Sequence, residues 1–241
     1  MKRVSLITGA SRGLGKTLAA FLAGRGDDLV ITARGAAGLA AAAGELETWG
    51  GRVVAIAGDV SDPTHQRRLV DAAAALGGLH LLVNNASILG PSPQPALADY
   101  PLETLEQVFA VNVLAPLGLL QHALPLLRQT RGMVVNVSSD AAVGGYAGWG
   151  GYGASKAALD LLSRTLANEL HEAAVAVVSV DPGDMRTQMH QEAFPDEDIR
   201  DRPTPDVTLP FWAWLLGQPS MEVTGGRFQA QAEQWSLATG L

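Results

Sequence analysis

Short runs rich in Val, Leu and Ile alternate with longer stretches of helical spacing, and this alternation limits the fold more than any other feature of the chain. The runs cover residues 4–8, 29–33, 53–57, 79–83, 133–137 and 174–180. The helical stretches cover 14–25, 39–49, 63–76, 102–128 and 152–172. The runs are apolar almost without interruption, not at every second residue. Strands of that kind are buried on both faces, as in a parallel sheet. Strands that alternate with helices predict an α/β fold, a doubly wound parallel sheet with helices on both faces. Ligands of such sheets bind beyond the carboxyl ends of the strands, and the motifs below fall at those ends or just after them. No linker divides the chain. Residues 1–241 are therefore expected to form a single domain, with a proline- and charge-rich flap at about 184–210.

Composition excludes several functions. The net charge is 17 − 24 = −7, which gives no electrostatic support for a nucleic-acid partner. Cysteine is absent, so disulfides, thiolate chemistry and cysteine-based zinc sites are excluded. The five histidines show no H-E-x-x-H spacing, and no metal site is expected. The first residues read as a strand with a basic flank, not a signal peptide. No uninterrupted apolar run reaches the ~18 residues of a membrane span. A soluble cytoplasmic protein with no membrane partner is expected.

The first run leads into Thr8-Gly9-Ala10-Ser11-Arg12-Gly13-Leu14-Gly15 and then a helical pattern. Glycines let the backbone turn sharply and approach a ligand closely. A helix that starts there offers free N–H groups and a positive dipole end to a pyrophosphate. Farther on, Tyr152 and Lys156 stand four residues apart and so share a helix face. A free phenol titrates near pH ~10 and is a poor base at neutral pH. A neighbouring cation favours the phenolate, which makes Tyr152 usable as a general acid/base. Within the stretch 102–128, Pro116 has no N–H to give the carbonyl of Asn112, four residues back, and its ring clashes with that carbonyl. A kink and an unpaired Asn112 carbonyl are expected.

The order and spacing of these motifs resemble the short-chain dehydrogenase/reductase family over nearly the whole chain. The matching residues are Thr8-Gly9-x-x-x-Gly13-x-Gly15, Asn84-Asn85-Ala86, Asn112, Ser139, Tyr152-x-x-x-Lys156 and Pro182-Gly183. The resemblance implies a Rossmann-type sheet of about seven strands, the last near 223–229. It implies a catalytic group of Asn112, Ser139, Tyr152 and Lys156. Ser139 would hold the substrate carbonyl or its oxyanion, and Tyr152 would exchange the proton. Lys156 would bind the nicotinamide ribose, and the Asn112 carbonyl would hold a water of a proton relay.

For the cofactor, the resemblance implies that Gly9, Ser11, Arg12, Gly13, Leu14 and Gly15 cradle the pyrophosphate. Asp59 and Val60 would hold the adenine. Asn85, Ala86 and Ser87 would lie at the nicotinamide end, where Ser87 replaces a glycine usual in the family. Pro182 and Gly183 would lie at the cofactor as part of the family's Pro-Gly motif, and the backbone near Met185 and the Thr187 hydroxyl would contact the carboxamide. Ala33 stands where family members that prefer NAD usually have Asp. Arg34 follows it, and Arg12 lies nearby. Two guanidinium groups without a carboxylate suit a 2′-phosphate, so NADP(H) is the expected cofactor.

The expected function is an NADP(H)-dependent oxidoreductase that interconverts a small-molecule carbonyl and alcohol. The alternative is a catalytically silent NADP(H)-binding sensor or scaffold. The resemblance also implies a homodimer or homotetramer, built on the helices that follow the fourth and fifth strands. Trp235, in the tail that ends at Leu241, is expected at such an interface.

Overall fold

The structure, a computed structural model, describes residues 2–237. Residue 1 and residues 238–241, part of the expected domain and tail, lie outside the described residues. Strands β1 (Val4–Thr8), β2 (Asp28–Ala33), β3 (Val53–Ala57), β4 (Leu81–Asn84), β5 (Met133–Val137), β6 (Ala176–Asp181) and β7 (Arg227–Gln229) form one sheet in the order β3-β2-β1-β4-β5-β6-β7. Every pairing is parallel. The fold is the expected Rossmann-type doubly wound sheet. The order reverses between β1 and β4, which opens a crevice at their carboxyl ends.

The side chains of β1 explain why its run is apolar throughout. Ile7 packs into the core on one face of the sheet, whereas Val4 and Leu6 pack into the core on the other. Helices α1 (Gly13–Gly24) and α2 (Ala36–Glu47) cover the first face through Leu14, Leu18, Leu22, Leu39 and Leu46. Helix α3 (Pro63–Leu76) covers the second through Leu69 and Ala73. Its ends follow from sequence: Asp62 accepts the Thr64 N–H, Pro63 sits in the first turn, and Gly77 closes the helix at φ 115°.

The long stretch 102–128 is not one α-helix. It comprises α4 (Leu102–Phe109), a π-helical segment (Ala110–Leu114) and α5 (Ala115–Thr130). The break falls where Pro116 withholds an N–H, and the ladder there widens so that Ala115 N–H reaches Ala110 O. The combined run 102–130 is long and apolar enough to cross a membrane. Yet Leu119, Leu120, Ala123 and Leu127 of α5 are spent on the second core.

The remaining helices are α6 (Ala141–Gly144), α7 (Gly150–Glu169), α8 (Gln188–Ala193), α9 (Leu209–Leu215) and α10 (Ser220–Val223). Phe211, Trp212 and Leu215 of α9 are fully buried in the first core. Trp235 is partly buried against the first core. Its ring meets Phe211 at 5.5 Å and Trp214 at 5.9 Å, and its Nε1–H donates to Gln229 O.

Candidate active site

A cleft of about 500 Å³ opens at the carboxyl ends of the strands. Its floor is the turn between β1 and α1. Gly9 has φ +69°, and a Cβ there would stand 2.8 Å from Asn85 Nδ2; a Cβ on Gly15 would stand 2.3 Å from Gly9 O. Only glycine fits at either position. The first N–H groups of α1 receive no side-chain cap and are available to an anion. The turn is tied to β4 by Asn85, whose side-chain amide donates to Thr8 O at 2.8 Å. Thr8 Oγ1 in turn accepts the backbone N–H groups of Asn85 and Ala86 at 3.0 and 2.9 Å. Asn85 thus fixes the cradle while lining it.

Of the residues expected at a cofactor, Gly9, Ser11, Arg12, Gly13, Leu14, Gly15, Arg34, Asp59, Val60, Asn85, Ala86, Ser87, Tyr152, Lys156, Pro182, Met185 and Thr187 all line this cleft. Gly183 is not among its lining residues. Its N–H donates to Asp181 Oδ1, and a Cβ there would strike Gln231 Nε2 at 2.7 Å, so it serves the turn after β6. Arg12 and Arg34 are both exposed at the rim. Asp59 keeps its carboxylate pulled below the usual range by two hydrogen bonds from Ser61. Thr187 Oγ1 accepts the His190 N–H and starts α8. The shape, the glycine turn and the uncapped helix fit a dinucleotide.

Of the expected catalytic residues Tyr152 and Lys156 line the cleft, whereas Ser139 and Asn112 are not among its lining residues; Ser139 Oγ donates to Asp140 Oδ1 at 2.9 Å and accepts the Ala141 N–H at 3.2 Å. Tyr152 and Lys156 lie on the buried side of α7, 7% and 2% exposed. Lys156 Nζ donates to Val137 O at 2.7 Å and stands 5.5 Å from the centre of the Tyr152 ring. Burial pushes the ammonium down to about 8, with Asp160 pulling it back up. The same burial raises the Tyr152 phenol well above its ordinary value. Hydrogen bonding from Ser87 and Ser139 opposes that rise, while Asp181 and Asp140 add to it.

Asn112 is 1% exposed and stands behind the cleft wall, locked by its side chain. Its Oδ1 accepts from Ser87 Oγ at 3.0 Å and from Ile88 N–H at 2.9 Å. Its Nδ2 donates to Ile88 O and to Ser155 Oγ, and Ser155 Oγ donates to Tyr152 O. The side chain therefore joins the π-helical segment to the loop after β4 and to α7. Its main-chain carbonyl still lacks the α-helical donor that Pro116 cannot supply.

Arg227, Leu89 and Ala141 carried no sequence signal. Arg227 on β7 donates to Ser139 O at 2.7 Å and to Asp160 Oδ2 at 2.8 Å, so it fixes the loop that carries Ser139. Leu89 and Ala141 pack beside Tyr152, with Trp149, Met189 and Ala193 against them. Trp149 meets Tyr152 edge-on at 5.9 Å and Phe194 at 5.7 Å. The charges of the segment 184–210 face outward and pair with one another, as Asp198 with Arg200 and Asp201 with Arg202.

A family model described as short chain dehydrogenase matches residues 3–198. The oxidoreductase YciK of Escherichia coli, itself uncharacterised, is 33% identical over 95% of this chain and 92% of its own. L-xylulose reductase of Caenorhabditis elegans is 35% identical over 82% of this chain and 77% of its own. A structure from Shigella flexneri, solved in complex with NADP, superposes with a TM-score of 0.88 at 31% identity, covering 95% of this chain and 97% of that one.

Proposed function

The chain belongs to the short chain dehydrogenase family, and we propose that it is an NADP(H)-dependent oxidoreductase that interconverts a carbonyl and an alcohol, with Tyr152 as the general acid/base. The observation that carries this reading is that Tyr152 and Lys156, four residues apart on α7, line the same cleft as the glycine turn. A bound nicotinamide would supply or accept the hydride. Tyr152 holds the proton at its hydroxyl oxygen, within a shell that excludes bulk water. Ser139 offers a hydroxyl to the negative charge that develops on the substrate oxygen. Lys156 brings a buried cation within reach of both the phenol and the ribose side of the cleft.

The preference for NADP(H) rests on Arg12 and Arg34 at the rim, with no carboxylate at position 33. It is further supported by the NADP complex of the Shigella flexneri relative. The apolar packing of Leu89, Ala141 and Trp149 around Tyr152, with Ile88, Val111 and Met189 lining the cleft, supports an aromatic or alkyl carbonyl. The segment 184–210 is the proposed flap, since Met185, Thr187, Gln188 and Met189 line the cleft and Phe194 packs on Trp149.

The test is NADPH oxidation with a panel of aldehydes and ketones. Turnover of at least one carbonyl is expected, with KM lower for NADPH than for NADH. Tyr152→Phe should lose roughly a hundredfold or more, the usual worth of a positioned acid/base. NADPH binding without any turnover would favour a sensor instead. Arg34→Ala should erode the preference for NADPH over NADH; an unchanged ratio would remove Arg34 from phosphate recognition.

A further inference from the structure

His65 sits in the first turn of α3, 3% exposed, and the acid/base step makes no use of it. Its Nε2 lies 2.8 Å from Thr32 Oγ1. The single proton of that hydroxyl goes to Ile56 O at 2.7 Å, so His65 donates and Thr32 accepts. The neutral ring therefore carries its proton on Nε2, and Nδ1 is a bare acceptor. Nδ1 is buried and has no hydrogen-bond partner among the described residues. Burial favours the neutral ring by pulling its pKa below the ordinary value.

The bare nitrogen lies against the backbone of Gly58. A Cβ on Gly58 would collide with Nδ1 and stand 2.6 Å from Cε1. Gly58 is not among the glycines of positive φ, so space alone demands glycine there. Its N–H donates to Ala33 O at 3.1 Å. The next residue of α3, Gln66, donates to Val60 O at 2.8 Å. Asp59 is thus held between a residue propped by His65 and one tied by Gln66. Thr32, Ala33, Arg34, Gly58, Asp59 and Val60 all line the cleft on its β2–β3 side.

We infer that His65 is a positioning residue for the adenosine half of the cofactor: its imidazole, set between Thr32 and Gly58, fixes the ends of β2 and β3 on which that half rests. This deepens the proposed NADP(H) reading and rests on it. The 2′-phosphate side depends on Arg34, two residues past Thr32. The adenine side depends on Asp59, next to Gly58. Loss of the ring frees both strand ends, whereas Tyr152 and Lys156 are carried by α7 and stay in place.

The experiment measures the affinity of 2′,5′-ADP and 5′-ADP by calorimetry, since both carry the adenosine half without the nicotinamide. NADPH oxidation is followed alongside, with the best carbonyl of the panel above. The proteins are wild type, His65→Leu, His65→Gln, His65→Ala, Gly58→Ala and the double variant Gly58→Ala with His65→Ala. His65→Leu should weaken 2′,5′-ADP roughly tenfold, the worth of about one buried hydrogen bond. KM for NADPH should rise in step, with kcat little changed. His65→Gln, whose amide keeps a donor for Thr32, should bind 2′,5′-ADP nearly as wild type does. Gly58→Ala should also weaken binding. The double variant should bind no more weakly than His65→Ala alone, because the new methyl enters the space the ring has left. If His65→Leu does not fold, the two Gly58 variants decide the matter. Unchanged affinity for 2′,5′-ADP in His65→Leu, with only a lower melting temperature, would make His65 an ordinary core residue and overturn the inference. Strictly additive losses in the double variant would overturn it too. If wild type binds 5′-ADP as tightly as 2′,5′-ADP, the NADP(H) reading fails, and the 5′-ADP affinities of the same variants still decide the role of His65. If wild type binds neither, both fall.

Discussion

Lys156 shows what a single residue costs the fold in return for chemistry. Its ammonium is buried and meets one backbone carbonyl, Val137 O. Burial lowers it to about 8, against an ordinary value near ~10.4. A lysine depressed in the fold weakens the fold fully below its folded value, and the penalty fades as pH rises from there toward the ordinary value. The wild type should therefore gain on Lys156→Met by on the order of 3 kcal/mol between pH ~8 and ~10.4. Urea unfolding of both proteins, followed as a function of pH, measures this directly. Equal pH slopes would mean that Lys156 is not held as a buried cation. Turnover by Lys156→Met should fall at every pH, since Met cannot supply the charge.

At the scale of elements, the short strand β7 positions the site from a distance. Arg227 bridges Asp160 on α7, Asp181 at the end of β6 and the carbonyl of Ser139. Asp181 is held above its ordinary value by burial, with the Gly183 N–H and Arg227 pulling it back. A carboxyl raised in the fold weakens the fold as pH climbs from its unfolded value toward its folded one. Arg227→Met would raise it further and strand two buried carboxylates. The expected loss is about 3–5 kcal/mol at neutral pH, shrinking as pH falls toward ~4. Thermal melts from pH 4 to pH 8 check it, and a pH-independent loss would point to packing alone. Activity should fall too, since the Ser139 loop loses its anchor.

The same elements show what the sequence makes legible. The strands were readable to within a few residues because a doubly buried strand must be apolar throughout, and the runs of β1, β3 and β5 end where their strands end. The glycine turn and the Tyr152–Lys156 spacing were readable because their geometry is local. The break at Pro116 was readable, but not its form as a π-helical segment, which depends on how Asn112 docks against Ile88 and Ser155. Helix α9 was not anticipated: Phe211, Trp212 and Leu215 have helical spacing, but the helix is only seven residues long, and Phe211 is buried against Phe228 and Trp235, which are distant in sequence. The Ser87–Asn112 and Arg227–Ser139 contacts span 25 and 88 residues, and no local pattern announces them.

At the scale of the whole molecule, one surface is less polar than a lone chain needs. On α5 and α7, Leu117, Leu162 and Leu166 are only partly buried. Beside them, Leu161 is 60% exposed and Leu114 is 61% exposed. Exposed apolar surface of this kind, on adjacent helices, marks an association site. We propose that a second copy of the chain covers it, each α7 laid against the other across a two-fold axis. Self-complementary contacts of that type close a dimer without leaving a free edge. They would also brace the helix that carries Tyr152 and Lys156. Light scattering coupled to sizing should then report a dimer or a larger even assembly for wild type. Leu161→Glu places a like charge on both sides of the axis and should shift the protein to monomer, with a melting temperature lowered by several degrees. The monomer should keep its cleft and still bind NADPH, with reduced turnover as α7 loosens. A wild type that runs as a monomer at all concentrations would refute the interface.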